Sequence, residues 1–179
     1  MSVGELPTAS MRARRLIEEY PGLHLRELAR RLDLDVRAAQ HHLSRLEKSG
    51  YVTVLRFGRF MRYFPRRGKH QGEVVDQRDK KLLAHLRNSI ALSLVVHLIS
   101  FGPSRLAELS DKVKVSPSRA SFHLRKLEGA GIVVRRKKRG PKYDVEDAER
   151  LKALLRTYRP LPDQVDGLLD LWDAFVGAK

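Results

Sequence analysis

The sequence predicts a mainly helical protein with small β-hairpins, an α+β fold built from two similar domains and a set of C-terminal helices. An internal repeat carries this prediction, because residues 25–52 match residues 106–133 at an offset of 81. Turn-forming residues and apolar periodicity recur in the same order in both copies. The predicted boundaries are 1–68 for the first domain, 69–78 for a linker, 79–145 for the second domain and 146–179 for C-terminal amphipathic helices.

The matched positions of the repeat are mostly small or apolar and keep helical spacing, as a shared core requires. Leu43 and Leu46 in the first copy fall on Leu124 and Leu127 in the second. The other matched pairs are Leu25/Leu106, Glu27/Glu108, Leu28/Leu109, Ala39/Ala120, His42/His123, Glu47/Glu128, Gly50/Gly131 and Val52/Val133. Exposed positions differ freely, so we interpret the repeat as one structural unit used twice.

Each element of the first domain has a local signal. SMRARRLIEEY predicts a first helix that Pro21–Gly22 ends, and HLRELARRL predicts a short second helix. Asp35 is the predicted N-cap of a third helix that ends at Gly50. YVTVLRF and FMRYFP then predict two strands around a tight GR turn.

The second domain shows the same series of signals. SLVVHLISF predicts a helix before Gly102–Pro103, and SRLAELSDKV predicts a short second helix. Ser116 is the predicted cap of the third helix, with Pro117 at its first position and Gly131 at its end. IVVRRKKRGPKYDV predicts the closing hairpin.

The order helix, short helix, turn, longer helix and β-hairpin is that of a winged helix-turn-helix domain. The pattern LxxLxxxLxLxxxxxxxHLxxLexxGyV with a following RxGRxxRYFP resembles ArsR/MarR-like winged-helix regulators, and the duplication resembles archaeal two-domain regulators of this type. RFGRFMRYFP and LLRTYRPLPDQVDGLLDLWDAF also resemble stretches of that group, so the resemblance covers nearly the whole chain. It implies a DNA-binding transcriptional regulator whose partner is double-stranded DNA, and it implies dimerisation through flanking helices.

The charge distribution agrees with an acidic partner. The formal net charge is +15, and residues 1–143 carry +18 while residues 144–179 carry −3. A strongly basic balance is typical of proteins that bind nucleic acid or another anionic surface. The partner-facing charge therefore lies in the two domains, and the tail is expected to have another role.

The third helix of each domain is expected to lie in the major groove with its non-core face toward the bases. Base contacts are predicted for Arg37, Gln40, His41, Arg119 and Ser121. Phosphate contacts are predicted for Arg45, Arg125 and Lys126, and Ser44 and Ser118 complete the DNA-binding set on the same faces. Phe122 also lies on the outward face, without an assigned contact.

Both hairpins are expected to contact phosphates as wings. In the second hairpin, RRKKRGPK places six cations in and beside one turn: Arg135, Arg136, Lys137, Lys138, Arg139 and Lys142. The first hairpin does this more sparingly, with Arg56, Arg59 and Arg62. Tyr63 and Tyr143 are expected to pack under the two hairpins.

The adjacent pair His41–His42 raises the alternative of a metal site completed by His24 or His123. Neighbouring helical residues point about 100° apart, so the pair does not chelate from one face. His42 recurs as His123, which predicts a structural residue bonded to a backbone carbonyl, whereas His41 corresponds to the outward Phe122. Because cysteine is also absent, we expect neither a metal nor a cofactor.

The tail DQVDGLLDLWDAFVGAK predicts an amphipathic helix with an acidic outer face. Its apolar stripe suits either a core within the chain or a homodimer interface, and we favour the interface, formed by Leu168, Trp172 and Phe175. The run over 78–99 allows a longer first helix of the second domain that joins the same interface.

The remaining patterns separate the function classes. No Gly-rich phosphate loop, nucleophile elbow or HExxH is present, so we do not expect an enzyme. The most apolar run has about half the roughly 20 residues of a membrane span, so a cytoplasmic, nucleoid-associated protein without membrane partners is expected. An abundant architectural DNA-binding protein of low sequence specificity remains an alternative to a regulator, and one domain acting as a protein adaptor is another.

Overall fold

The computed structural model describes residues 8–68, 72–137 and 140–168, together with Trp172 and Phe175. The chain divides into two compact units, which we call unit 1 (Met1–Ala84) and unit 2 (His85–Lys179).

Unit 1 follows the predicted order of elements, with one additional short strand. Its elements are α1 (Ala9–Glu19), β1 (Leu23–His24), α2 (Leu25–Leu32), α3 (Val36–Lys48), β2 (Val52–Phe57) and β3 (Phe60–Pro65), and α4 (Gln77–Leu86) ends just past the division. Ile17, Leu28, Leu43 and Phe64 are buried in its core. The predicted helices and hairpin are therefore confirmed, and Asp35 caps α3 as expected.

The sheet of unit 1 has the order β1-β3-β2 and is antiparallel. Leu23 of β1 pairs with Tyr63 of β3, so β1 joins the hairpin of β2 and β3 to the start of α2. His24, predicted as the first residue of the second helix, is instead its N-cap, and its Nδ1 accepts the backbone N–H of Glu27 at 3.3 Å. A two-residue strand leaves too little periodicity to be read from sequence.

The predicted linker at 69–78 is wrong for the residues from 72 onward, because they belong to unit 1. Glu73 forms a β-bridge with Arg66, and Val75 is buried. Glu73 also forms an ion pair with the fully buried Lys80, with 2.5 Å between Glu73 Oε1 and Lys80 Nζ. The same Nζ lies 5.8 Å from the ring centre of Phe64. A backbone bridge and a partly buried ion pair thus fold this segment onto the sheet.

Unit 2 repeats the same arrangement and adds the C-terminal elements. Its elements are α5 (Ser89–Phe101), α6 (Leu106–Lys112), α7 (Pro117–Gly129), β4 (Val133–Arg136), β5 (Lys142–Val145), α8 (Ala148–Thr157), α9 (Pro162–Val165) and a 3₁₀ turn (Asp166–Leu168). A single bridge between Ser104 and Tyr143 replaces the short strand β1 of unit 1. Leu92, Leu109 and Leu124 are buried in its core.

The continuous helix allowed over 78–99 is wrong, because α4 ends at Leu86 and α5 begins at Ser89. Asn88 between them caps α5, and its side-chain oxygen accepts the N–H of Ala91 at 3.1 Å. An Asn side chain that satisfies a first-turn N–H favours a helix start at that point. No single helix in the described ranges is long and apolar enough to cross a membrane, and only the bent pair α4 and α5 together reaches that length and composition.

The C-terminal segment packs on the break that precedes α5. Gln164 is buried, its side-chain amide donates to the Leu86 carbonyl at 3.3 Å, and its oxygen accepts the N–H of Leu161 at 3.2 Å. The Arg87 guanidinium donates to the Arg159 carbonyl at 2.9 Å. These bonds fasten the tail to unit 2.

The predicted dimer-interface residues have different environments. Leu168 and Phe175 are buried within the single chain, which corrects their assignment to a subunit surface. Trp172 is half-buried and stacks on Phe175 with 5.2 Å between the ring centres. The rest of the predicted helix from residue 169 lies outside the described residues.

Candidate nucleic-acid interface

The outward face of α3 presents the predicted side chains to solvent. The Asp35 carboxylate starts the helix by accepting the backbone N–H groups of Arg37 at 2.8 Å and Ala38 at 3.0 Å. Burial of Ala39, Leu43 and Leu46 turns the opposite face outward. On that face Arg37, Gln40, His41 and Arg45 are exposed and Ser44 is half-buried.

Gln40 joins α3 to the first hairpin, which we call wing 1 (residues 52–65). Its amide donates to Ser44 Oγ at 3.3 Å. Burial raises the pKa of Tyr63, and the nearby side chain of Gln40 acts on that pKa in the opposite direction. Tyr63 packs under the hairpin as expected, at 3% exposure.

One face of wing 1 continues the outward face of α3. Arg56 pairs with Met61 across the hairpin, and side chains alternate along a strand, so both lie on the face of Tyr63. Arg56 and Met61 are exposed, and the Arg56 guanidinium donates to the Gly58 carbonyl at 3.2 Å. Because the side chain of Gln40 on α3 acts on Tyr63 of wing 1, the helix face and this wing face adjoin each other.

The other face of wing 1 is occupied by contacts within unit 1. The Arg62 guanidinium donates to the Gly22 carbonyl at 2.6 Å, and burial lowers the pKa of Arg62 to about 10. Arg62 is half-buried and its guanidinium already bonds a backbone carbonyl, so it is less available for the predicted phosphate contact than the exposed Arg56. Arg59 is exposed at the turn and lies 5.1 Å from the centre of the Phe60 ring, which stacks on His24.

The outward face of α7 is built in the same way. Ser116 Oγ accepts the N–H of Arg119 at 3.3 Å, Pro117 occupies the first turn, and the apolar stripe of Ala120, Leu124 and Leu127 is buried. The predicted side chains Ser118, Arg119, Arg125 and Lys126 are exposed, and Ser121 is half-buried.

Phe122 is exposed among these residues, and the predicted contact set does not include it. Its side chain is 46% exposed, and the Lys126 ammonium lies 4.4 Å from its ring centre. The alignment with His41 is the sequence signal that marks this position as outward-facing. The structure adds that the Lys126 ammonium lies over its ring.

The second hairpin, which we call wing 2 (residues 133–145), is strongly basic. Arg135, Arg136 and Lys137 are exposed and Lys142 is half-buried, whereas Lys138 and Arg139 lie outside the described residues. The Arg136 guanidinium donates to the Asp144 carboxylate at 2.7 Å, so part of its charge is compensated. Tyr143 is buried under the hairpin as expected, and the Arg135 guanidinium lies 5.8 Å from its ring centre.

The two repeated histidines sit at the inner edge of the third helices. His42 Nδ1 and Ser10 Oγ share a hydrogen bond of 2.9 Å, so the predicted bond to a backbone carbonyl is wrong, and the bond links α3 to α1. His123 lies edge-on to Phe122, and its pKa is lowered by burial, by Lys126 and by Arg119. Within the described ranges no group of three or more metal-ligating side chains is close enough to hold a metal ion.

Three helices followed by a hairpin, present in both units, make this chain a tandem winged helix-turn-helix protein. A family model described as an N-terminal HTH domain matches residues 8–76, and the model for bacterial regulatory proteins of the arsR family matches residues 93–134. The first match runs through the segment that folds onto unit 1.

A curated relative comes from the archaeon Methanocaldococcus jannaschii and is named an uncharacterized HTH-type transcriptional regulator. It is 32% identical to this chain over 117 residues, which is 65% of the chain. The match spans 28% of the length of that relative.

Proposed function

We propose that this protein is a transcriptional regulator that binds duplex DNA with α3 and wing 1 of unit 1 and with α7 and wing 2 of unit 2. One observation supports this most directly. In both units, exposed cationic and polar side chains lie on the outward face of the third helix and on the wing that follows it. The opposite face of the helix is buried. A helix in the major groove beside a wing at the phosphates uses such a surface.

The two parts of this surface have different roles in the proposal. Base edges are contacted by Arg37, Gln40, His41, Arg119 and Ser121, with Ser44 and Ser118 beside them. Phosphates are contacted by Arg45, Arg56, Arg59, Arg125, Lys126, Arg135, Arg136, Lys137, Lys138, Arg139 and Lys142. Arg makes bidentate hydrogen bonds to guanine, and Gln makes them to adenine. Phosphate contacts add affinity without sequence preference. Arg62 supports the root of wing 1 instead.

The basic wing 2 also favours a second candidate function, an architectural protein that coats DNA with little sequence preference. Selection from a randomised duplex library, followed by titration of the selected and random duplexes at one salt concentration, separates the two. A regulator should bind its selected site roughly 10³-fold or more tightly than random duplex. Equal affinity for both duplexes, with cooperative coating, contradicts the regulator and supports the architectural protein.

Homodimerisation through the C-terminal helices stays a proposal with a changed basis. Because Leu168 and Phe175 are buried in the chain, the half-buried Trp172 is the predicted interface residue that retains accessible surface. Sedimentation of the full chain should then give a dimer mass that Trp172→Ala reduces to that of the monomer. A monomer at all concentrations contradicts the proposal.

A further inference from the structure

An exposed aromatic ring occupies the centre of the polar face of α7. Phe122 is 46% exposed, although the same helix buries its other large apolar side chains. The positions three and four residues away on either side share its face of the helix. Those neighbours are Ser118, Arg119, Arg125 and Lys126, and all four are exposed.

The ring of Phe122 contacts two neighbouring side chains and remains 46% exposed. His123 lies edge-on, with 5.3 Å between the ring centres. The Lys126 ammonium sits 4.4 Å from the ring centre, a distance at which a cation is attracted to an aromatic face. The ring therefore presents an ordered apolar surface inside a cationic frame.

The frame restricts the chemistry of what covers the ring. An apolar group flanked by negative charges fits this surface, because three of the four neighbouring side chains on the face of Phe122 are cations. The floor of the major groove has this character at a thymine, whose C5-methyl group projects between two phosphate backbones. Burying one methyl group against the ring removes apolar surface from water on both partners.

We propose that Phe122 recognises a thymine through its C5-methyl group, and so acts as a specificity-determining residue of unit 2. This inference rests on the proposed function and names one base that unit 2 selects. Unit 1 presents the exposed, polar His41 at the equivalent position, so it lacks this methyl contact. The two units therefore select different bases at the matching place in their half-sites.

The test replaces each thymine of the selected duplex, one at a time, by deoxyuridine, which lacks only the methyl group. At one thymine the exchange should weaken binding by the wild-type chain about fourfold, the value expected for one buried methyl group. Phe122→Ala should bind the thymine and deoxyuridine duplexes equally, and Phe122→Leu should keep most of the difference. 5-Methylcytosine at the same position should restore part of the lost affinity relative to cytosine.

Phe101→Ala is the matched control, because Phe101 is also an exposed aromatic of unit 2, at 63% exposure, and lies outside α7 and wing 2. It should retain the fourfold difference. Methyl sensitivity that is the same in Phe122→Ala and wild type, or a selected site whose thymines are all insensitive, overturns the inference and leaves the proposed function intact. Selection that returns no preferred sequence contradicts the regulator itself.

Discussion

The third helices of the two units share a scaffold and differ on their outward surfaces. Leu43 in α3 and Leu124 in α7 are both fully buried, and a side-chain cap precedes each helix. At the matched outward position, unit 1 presents His41 and unit 2 presents Phe122. Packing restricts the buried positions of the two helices and leaves the outward positions free to suit a partner.

The wings differ more than the helices do. Wing 1 presents the exposed apolar residues Phe60 and Met61 next to its arginines, and its Arg62 is bonded to backbone. Wing 2 presents exposed cations on β4 and just after it. On this comparison, under the proposed function, we expect wing 2 to supply more of the sequence-independent attraction to DNA, and α3 with wing 1 to supply a surface that depends more on shape.

The largest expected effect comes from breaking the shared scaffold. Leu43→Ala and Leu124→Ala should each lower the free energy of unfolding of their unit by about 2 to 5 kcal/mol, because each leaves a cavity in a filled core. Urea unfolding of the full chain measures the loss, and hydrogen exchange should locate it in α3 or α7 respectively. A loss below about 1 kcal/mol in one unit would mean that the two cores are not equivalent.

The helices and hairpins were predictable because their signals are local. Asp35 and Ser116 mark helix starts, and the apolar stripes keep helical period. The errors depend on contacts between residues distant in the sequence or on short elements. Lys80 reaches back to Glu73 and Phe64 and folds the predicted linker onto unit 1, and Gln164 bonds the Leu86 carbonyl at the break before α5.

The candidate site was predictable in part, since the core stripe determines which side chains point outward. Which cations are available depends on partners that periodicity does not reveal. Arg62 belongs to the same arginine series as Arg56 and Arg59, yet it bonds the Gly22 carbonyl across the sheet. Phe122 differs from expectation in the opposite direction. An aromatic residue at helical spacing is more often part of a core, yet Phe122 is exposed.

The next largest effect compares the wings. Replacing Arg135, Lys137 and Lys142 by alanine should reduce the dependence of log affinity on log salt by about 2.7, at about 0.9 for each phosphate contact. Arg56→Ala with Arg59→Ala should reduce it by about 1.8 by the same rule. Fluorescence anisotropy on one duplex over a salt series measures both slopes.

A matched control removes exposed cations away from either wing. Arg15→Ala with Lys81→Ala lowers the net charge as much as the wing 1 pair does, and both residues are exposed on α1 and α4. The salt slope should not change in this control. A reduction in this control as large as that of the wing 1 pair, which removes the same number of charges, would mean that the net charge of the chain, not the position of the charges on the wings, governs the attraction.

The adjacent histidines of α3 should separate stability from DNA binding. His42→Ala removes the bond to Ser10 and should lower the free energy of unfolding by about 1 kcal/mol, a usual value for one hydrogen bond, with little change in DNA affinity. His41→Ala should change affinity or base preference with little loss of stability. Thermal unfolding and titration of the selected duplex measure the two effects.

Ser10→Ala provides the matched control for this pair. If the bond is the source of the lost stability, Ser10→Ala and His42→Ala together should cost no more than either alone, as in a double-mutant cycle. Additive losses would assign the effect of His42 to packing rather than to the hydrogen bond.

The smallest expected effect is a pH dependence that differs between the units. Burial is the main cause that lowers the pKa of His24 in unit 1 and of His97 and His123 in unit 2 below the ordinary value of 6.5. Between each lowered pKa and 6.5 the unfolded chain binds more protons than the folded chain. Stability therefore rises with pH through this window and is lost as pH falls below 6.5.

Urea unfolding at several pH values between 5.5 and 7.5 measures this slope. His97→Gln should flatten it, because it removes a histidine of unit 2 whose pKa is lowered mainly by burial. His24→Asn should flatten the slope of unit 1 while it keeps a side chain able to cap α2. Carboxylates titrate below this pH range, so the slope of stability against pH reports mainly on histidines. An unchanged slope in His97→Gln would mean that groups other than His97 cause the acid sensitivity.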